Sequence, residues 1–385
     1  SIAFLAGIPI IAITFYETNL LAPILNIIFV PLISFIVFPL ALLSLLCPWI
    51  ECVFEFSLSI LQDLLVISNT YFTWKLIVPY MNLYWIVGYY IVLFFILYYQ
   101  TFRYAIFILL FLFFHSYRNL LQRYPIITMI DVGQGDSILI QLPYNQGNVL
   151  IDTGGKITYK TEEWRQRSHR SIASSTLIPF FKSIGVHSLK YLILSHGDAD
   201  HAGEALALLS NFSVENVVMN TGNTTPLEEK IMQSCYKNNI SVTFMSEGFL
   251  SIGKVRLSFL NKKNLKNENE DSLVLYTKLN EKNILFMGDA GISSEKYIMD
   301  EYFLPEMDIL KVGHHGSKYS SSTEFIKLLC PKIALISVGE NNRYGHPHTR
   351  TIETLHATSS AVYQTSIHGM IRLILKDRIV VNTCI

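Results

Sequence analysis

Ser195-His196-Gly197-Asp198-Ala199-Asp200-His201 places four possible metal ligands on one short stretch of the chain. The apolar run Leu189–Leu194 just before it predicts a buried strand, and Ala202–Ser210 just after it predicts the first turns of a helix. Ligands on one strand-to-helix loop can converge on a point, because neither flanking element has to bend. The alternative, a polar turn with two surface histidines, is less favoured. The pattern therefore predicts a metal site made by His196, Asp198, Asp200 and His201.

The composition divides the chain into two unlike parts. At 385 residues and a mean hydropathy of +0.35, the chain is too long for one domain and too apolar for an ordinary soluble protein. The formal net charge is zero, so any contact with a nucleic acid must come from local patches. Residues 1–118 hold few charged side chains: Glu17, Glu51, Glu55, Asp63, Lys75, Arg103 and Arg118.

The first part predicts membrane helices. Leu20–Ile50 is an uncharged run with four prolines, which either crosses a bilayer once with a kink or enters, breaks and turns back. Glu51–Ser68 is amphipathic, which favours a helix in the membrane interface over one lining a polar passage. Asn82–Gln100 and Phe102–Tyr117 predict a helical hairpin. The apolar start, Ser1–Tyr16, is expected to be most of one span whose beginning is missing, and residues 1–118 are interpreted as the C-terminal end of a longer multi-pass membrane segment.

From Ile126 the pattern changes to short strands separated by turns. About a dozen strands with a few helices between them predict two mixed sheets packed together with helices outside, a four-layer α/β/β/α domain. The expected organisation is therefore membrane helices over residues 1–118, a linker over 119–125, and a soluble domain over 126–385.

Polar residues recur where the predicted strands end: Asp152, His196–His201, Asp289, His314 with His315, and His346 with His348. Loops at strand ends share one edge of a sheet, so these side chains are expected to meet. Two divalent cations need roughly six to eight protein ligands, with a carboxylate between them. We expect His196 and Asp198 at one ion, Asp200 and His201 at the other, Asp289 as the bridge, and a late histidine to complete the set.

These motifs resemble the metallo-β-lactamase superfamily and, within it, the ComEC-type competence proteins of DNA uptake. The resemblance rests on residues 131–137 (DVGQGDS), 151–154 (IDTG), 196–201 (HGDADH), 288–289 (GD), 311–317 (KVGHHGS) and 343–347 (RYGHP), in the family's order. It implies a membrane-anchored nuclease on the outer side of the cell membrane that degrades one DNA strand while the other passes. It also implies an α/β/β/α fold, with DNA, lipid and further DNA-uptake proteins as partners.

The resemblance also implies roles for single residues. His196, Asp198, Asp200, His201 and Asp289 match the family's metal motifs, and His314 and His315 are expected at the same ions. Asp136 and Asp152 are expected to orient ligands or loops. Asp198 stands where most superfamily members have histidine, and no histidine lies between His201 and Asp289. Carboxylate ligands favour manganese or magnesium over zinc.

Hydrolysis of a phosphodiester also requires a proton for the leaving oxygen. His314, His315 or His346 is expected to supply it, because imidazole titrates in a suitable range; His348 is expected to be structural. A cationic loop is a candidate DNA contact, with a solvated loop as the equal alternative; it carries Lys160, Trp164, Arg165, Arg167 and Arg170. Two other readings stay open: a phosphodiesterase on small esters, and a DNA-transport protein without catalysis.

Overall fold

The computed structural model describes residues 2–99, 105–155, 171–221, 224–260, 267–340 and 342–384. The chain forms two compact units. The N-terminal unit comprises residues 1–118 with 181–185, and the C-terminal unit comprises residues 119–180 with 186–385.

The N-terminal unit is mainly helical. A small core forms where the helices Ile2–Thr14, Leu83–Tyr99 and Ala105–Ser116 meet. Tyr89 anchors it by donating a hydrogen bond to the Leu5 carbonyl at 2.7 Å. Its elements in chain order are α1 (Ile2–Thr14), β1 (Glu17–Asn19), α2 (Ala22–Leu32), α3 (Phe38–Leu46), α4 (Glu51–Tyr71), β2 (Lys75–Ile77), α5 (Leu83–Tyr99) and α6 (Ala105–Ser116).

The uncharged run Leu20–Ile50 contains one long helix, Ala22–Leu46. A π-helical turn at Ile33–Val37 joins α2 to α3, and Phe38 N–H bonds the Ile33 carbonyl five residues earlier. The adjacent Pro39 has no N–H to continue the ordinary ladder, so the turn widens there. Within the described residues, Ala22–Leu46 is the helix long and apolar enough to cross a membrane. The run is therefore one continuous helix rather than one that breaks and turns back.

The remaining predictions for this unit are met in part. The amphipathic segment is the helix α4, and the apolar hairpin corresponds to α5 and α6. The two-stranded antiparallel sheet, in which Thr18 pairs with Leu76, was not predicted. Strands of three residues are too short to produce a period-two signal.

The C-terminal unit contains two sheets. In chain order its strands are β3 (Ile126–Met129), β4 (Ile138–Gln141), β5 (Asn148–Ile151), β6 (Tyr191–Ile193), β7 (Asn216–Asn220), β8 (Ser241–Met245), β9 (Glu247–Ile252), β10 (Val255–Leu260), β11 (Leu275–Leu279), β12 (Lys282–Phe286), β13 (Ile309–Lys311), β14 (Ile333–Ile336), β15 (Ala361–Gln364), β16 (Met370–Leu375) and β17 (Ile379–Cys384). Its helices are α7 (Ile178–Ser183), which ends in the segment assigned to the other unit, α8 (Ala199–Ala202), α9 (Ala205–Asn211), α10 (Pro226–Lys237), α11 (Ile292–Glu301), α12 (Thr323–Leu329), α13 (Thr349–Ala357) and α14 (Thr365–His368).

One sheet has eight strands in the order β17-β16-β3-β4-β5-β6-β7-β8, and the other has seven in the order β15-β14-β13-β12-β11-β10-β9. In each sheet an antiparallel half continues into a parallel half: β5 to β8 are parallel, and so are β12 to β15. Parallel strands end at a common edge, so each sheet presents a row of loops there.

Alternation along the strands builds the layers. Ile284 and Phe286 of β12 pack between the sheets with Ile127 and Ile140, while Leu285 faces the opposite side and packs with α11, α12 and α13. The predicted four-layer α/β/β/α fold is confirmed. The strand count was too low, and one missed strand is β9, whose Gly248 weakens its strand pattern.

Candidate metal centre

The predicted ligands meet at the rim where parallel strands of both sheets end. The loop 195–201 follows β6, and Asp152 follows β5 in the same sheet. Asp289 follows β12, and His314 and His315 follow β13, in the other sheet. Between them lies a cleft of about 210 Å³, lined by Gln134, Asp198, Asp200, Asn269, Asp289, His314, His315, Tyr344 and His346.

Asp152 fixes the orientation of His201. Its carboxylate accepts hydrogen bonds from the N–H and the hydroxyl of Ser195, each at 2.7 Å, and lies 2.8 Å from Nδ1 of His201. A carboxylate can only accept, so Nδ1 of His201 carries the proton and Nε2 presents its lone pair. The Ser195 hydroxyl is committed to Asp152, so it accepts from Nδ1 of His196 at 3.0 Å, which leaves Nε2 of His196 available too.

His315 is oriented from the other sheet. Its Nδ1 donates to the Ser337 carbonyl at 2.9 Å, so its Nε2 also presents a lone pair. That Nε2 lies 3.4 Å from Asp200 Oδ2 and 3.6 Å from Asp289 Oδ2. On the other side of Asp289, Oδ1 lies 3.2 Å from Nε2 of His201. Asp289 thus stands between histidines contributed by the two sheets.

The donor atoms fit metal ions. Among the described residues, Nε2 of His196, His201 and His315 and Oδ1 of Asp289 are buried atoms without a hydrogen-bond partner. Buried polar atoms are normally satisfied, so a cluster of such atoms fits a bound cation. Donors of His196, His201 and Asp289 lie within 4.8 Å of one another, and so do those of Asp200, His201 and His315. Both groups combine imidazole and carboxylate, which suits divalent metals.

The electrostatics also indicate a cation site. Burial alone would raise the pKa of Asp289, but the positive charges of His201 and His315 outweigh it and hold the pKa well below its usual range. Burial would lower the pKa of His315, yet the carboxylates of Asp289 and Asp136 raise it to about 10. Without metal the rings therefore hold protons where a cation would otherwise lie, and metal must displace those protons.

Strained backbone positions these side chains. Asp152, His314 and His315 have φ values of +57°, +48° and +51°, in the left-handed region that non-glycine residues rarely adopt. Gly135 has φ +111°, and a Cβ there would lie 2.0 Å from the Asp200 carbonyl oxygen. The loop before β4 therefore packs directly against the metal loop, and only glycine allows that approach.

Asp136, which was predicted to support the site, is bound by a lysine that the sequence reading overlooked. Lys311 is 1% exposed, and its Nζ forms an ion pair with Asp136 Oδ2. The same Nζ donates to the Gly288 carbonyl at 2.7 Å and lies 3.9 Å from Asp289 Oδ1. A lysine at the end of a buried strand was the available signal, since lysine is almost never fully buried unless it is paired.

His314 and His346 lie in the cleft without the close approach of the other histidines. His314 Nε2 is 3.9 Å from Asp289 Oδ2 and 3.5 Å from Asn269 Nδ2. Burial lowers the pKa of His346 to about 4, with the positive charges of His314 and His315 acting in the same direction. The Tyr344 ring stacks on His346 at an angle of 13° and is 54% exposed.

The other predicted residues are placed as follows. His348 caps α13 by accepting from Arg350 N–H at 3.2 Å, a structural role. Glu268, which was not predicted, lies beside Asp198, and the proximity of that carboxylate raises the pKa of Glu268. It lies in the interval between His201 and Asp289 that contains no histidine. The candidate DNA-binding residues Lys160, Trp164, Arg165, Arg167 and Arg170 fall outside the described residues.

Comparison with known proteins identifies both parts of the chain. Residues 130–240 match the metallo-beta-lactamase superfamily, and residues 1–103 match the competence protein family. ComE operon protein 3 of Bacillus subtilis is 38% identical over 66% of this chain and 33% of its own length. Recombination protein 2 of Haemophilus influenzae is 30% identical over 66% of this chain and 29% of its own length. The chain thus spans about a third of these relatives.

Solved structures give a more distant likeness. The metallo-beta-lactamase fold protein YhfI from Bacillus subtilis is 12% identical, with a TM-score of 0.41 over 62% of this chain and 96% of that one.

Proposed function

Because this chain is a competence-family protein with a metallo-beta-lactamase domain, we propose that it is a metal-dependent phosphodiester hydrolase that degrades DNA during uptake. The observation that carries the proposal is the group of unpartnered Nε2 atoms around Asp289, at the base of an open cleft. Metal ions held by these atoms would lie at the base of the cleft, where a phosphodiester could reach them.

Two divalent ions would share the donors, with Asp289 between them. His196 and Asp198 would hold one ion, and Asp200, His201 and His315 would hold the other. The carboxylates favour manganese or magnesium, while three imidazoles also suit zinc. Glu268 is a further candidate for the first ion, because it contacts Asp198. When bound, the ions would lower the pKa of a water molecule and stabilise negative charge on the phosphoryl oxygens.

The cleft residues would supply a proton to the leaving group and contact the substrate. Burial lowers the pKa of His346 and of His314, which favours the neutral form of both rings. A bound phosphodiester adds negative charge, which raises the pKa of a nearby imidazole and allows it to give a proton to the leaving sugar oxygen. The exposed Tyr344 ring would stack on a nucleobase, which favours single-stranded DNA.

The N-terminal unit would hold the hydrolase at the membrane. The helix 22–46 is apolar, and only 6% of its most apolar stretch is buried, so lipid rather than protein would cover it. We propose that residues 1–118 belong to a multi-pass membrane domain forming part of a DNA channel. Residues 119–125 would connect it to a hydrolase domain, 126–385, on the extracytoplasmic side.

Activity of the full chain in detergent tests the proposal. Chelator-stripped protein would receive manganese, magnesium or zinc and then single-stranded DNA, duplex DNA or bis(p-nitrophenyl) phosphate. We expect metal-dependent cleavage of DNA. Cleavage of the small ester alone would instead identify a small-molecule phosphodiesterase, and no turnover with any metal would indicate a transport protein without catalysis.

A further inference from the structure

The pairing of Lys311 with Asp136 has no part in the hydrolysis described above. Asp136 is 1% exposed and belongs, by distance, to two of the groups that could hold a metal, one with Asp289 and His315 and one with Asp152 and His201. By position alone it could be a ligand. Its Oδ2, however, is already occupied by the ammonium of Lys311.

Lys311 lies at the centre of the buried negative charge. Its Nζ contacts Asp136, donates to the Gly288 carbonyl at 2.7 Å, and remains 3.9 Å from Asp289 Oδ1. The three buried aspartates of the site thus face different groups: Asp136 pairs with Lys311, Asp152 with Ser195 and His201, and Asp289 faces the unpartnered ring nitrogens.

We propose that Lys311 is a permanent third cation of the metal site, a positioning residue that binds Asp136 and so reserves Asp289 for the divalent ions. The inference rests on the proposed metal site. A buried ion pair is sensitive to loss of one partner, because the other charge remains uncompensated. Lys311 without Asp136 would move its ammonium onto Asp289 and compete there with metal.

Metal binding by matched variants tests this assignment. Full-length protein in detergent would be stripped with chelator and titrated calorimetrically with Mn²⁺, with bound metal counted by elemental analysis. Asp136→Asn should weaken Mn²⁺ binding at least about tenfold, because an unpaired positive charge then lies beside Asp289. The double variant Asp136→Asn/Lys311→Met removes both charges and should restore binding to near the wild-type affinity.

A second lysine–aspartate pair, beside the seven-stranded sheet that carries Lys311, provides the control. Lys332 Nζ lies 2.8 Å from Asp308 Oδ1. The two residues come just before β14 and β13, at the ends of these strands away from the metal site, so Asp308→Asn should leave Mn²⁺ binding unchanged. Equal weakness of the single and double variants would overturn the proposal, since Asp136 would then be a ligand itself. An unaffected Asp136→Asn would also overturn it. If the single variant does not fold, the double variant compared with the wild type decides.

The test separates this inference from the proposed activity. Wild-type protein that binds Mn²⁺ but cleaves no DNA would contradict the nuclease while leaving the role of Lys311 open to the same titration. Protein that cleaves DNA, but in which the double variant is not restored, would contradict only the role of Lys311.

Discussion

Asp152 Oδ2 lies 2.8 Å from His201 Nδ1, and neither side chain is exposed. The same carboxylate holds Ser195, whose hydroxyl lies 3.0 Å from His196 Nδ1. One aspartate that touches no proposed ion therefore sets the direction of two ring nitrogens that would bind different ions.

Replacement of Asp152 by asparagine should weaken metal binding by about 10- to 100-fold, the usual cost of losing a partner that orients a ligand. The reason is that the amide no longer forces the proton onto His201 Nδ1. Calorimetric titration with Mn²⁺ measures the effect. Asp131→Asn is the control, since Asp131 caps a turn by accepting from Gly133 N–H at 3.0 Å. Wild-type affinity in Asp152→Asn would contradict the role given to this carboxylate.

Asp200→Ala should abolish hydrolysis of DNA. Asp200 Oδ2 lies 3.4 Å from His315 Nε2, and removal of a direct ligand should exceed the roughly 100-fold loss caused by removal of an orienting partner. Initial rates on single-stranded DNA with Mn²⁺ give the measurement. His356→Ala is a matched control on an exposed face of α13 and should keep the wild-type rate. Retained activity in Asp200→Ala would refute its assignment as a ligand.

The stability of metal-free protein should fall as the pH rises above about 6.5. The pKa of His315 is raised to about 10 and that of His201 is raised well above its usual value. The stabilisation is complete below the unfolded histidine pKa of about 6.5 and is lost as pH rises through the folded values. The lowered pKa of Asp289 has its effect in acid. Its ionised carboxylate stabilises the folded state above the unfolded aspartate pKa of about 4, and this stability is lost as the pH falls below that value.

Thermal unfolding in chelator at pH 5.5, 8 and 9.5 follows this change. Metal-loaded protein should lack the decline, because the ions displace the protons from the rings. Greater stability of the metal-free protein at pH 9.5 than at pH 5.5 would contradict the predicted sign.

Gly135→Ala should damage the metal site more than Gly133→Ala in the same loop. Both glycines have positive φ, so each alanine costs about 1–2 kcal/mol of backbone strain. Nothing lies near a Cβ at Gly133, whereas a Cβ at Gly135 meets the Asp200 carbonyl and adds roughly 1–3 kcal/mol of overpacking. Thermal unfolding and Mn²⁺ titration measure the difference, and equal effects would show that the contact with Asp200 is unimportant.

Tyr344→Ala should raise KM for single-stranded DNA and leave hydrolysis of bis(p-nitrophenyl) phosphate nearly unchanged. Stacking on one base is worth about 1–3 kcal/mol, which corresponds to roughly 5- to 150-fold. Tyr236→Ala removes another exposed tyrosine, on α10 and not among the residues lining the cleft, and should have no effect. An equal change on both substrates would indicate damage to the cleft instead of lost stacking.

The sequence predicts the ligand loop because two regularities coincide there. An apolar strand ends, and His196 to His201 follow with metal-binding side chains at four of the six positions. Asp289 and His315 are found by the same rule at the ends of β12 and β13. Their convergence also depends on two sheets packing face to face, which alternating apolar residues indicate only in general.

Other features have no comparable local signal. Gln134, Asn269 and Tyr344 reach the cleft from loops distant in sequence, and only the packing of both sheets brings them together. Lys311 is the last residue of the short strand β13. A lysine at such a position ordinarily indicates that the chain has left the core. Its partner Asp136 belongs to the other sheet. Pairing across sheets is a tertiary event, which a single chain's periodicity does not encode.

The division of ligands between the sheets has a consequence for biosynthesis. His196 and His201 are synthesised before Asp289 and His315, which follow about ninety to a hundred and twenty residues later. A chain under synthesis therefore has only part of the proposed ligand set until its second sheet packs against the first. The proposed ions can therefore bind the full ligand set only after both sheets have been synthesised and have packed together.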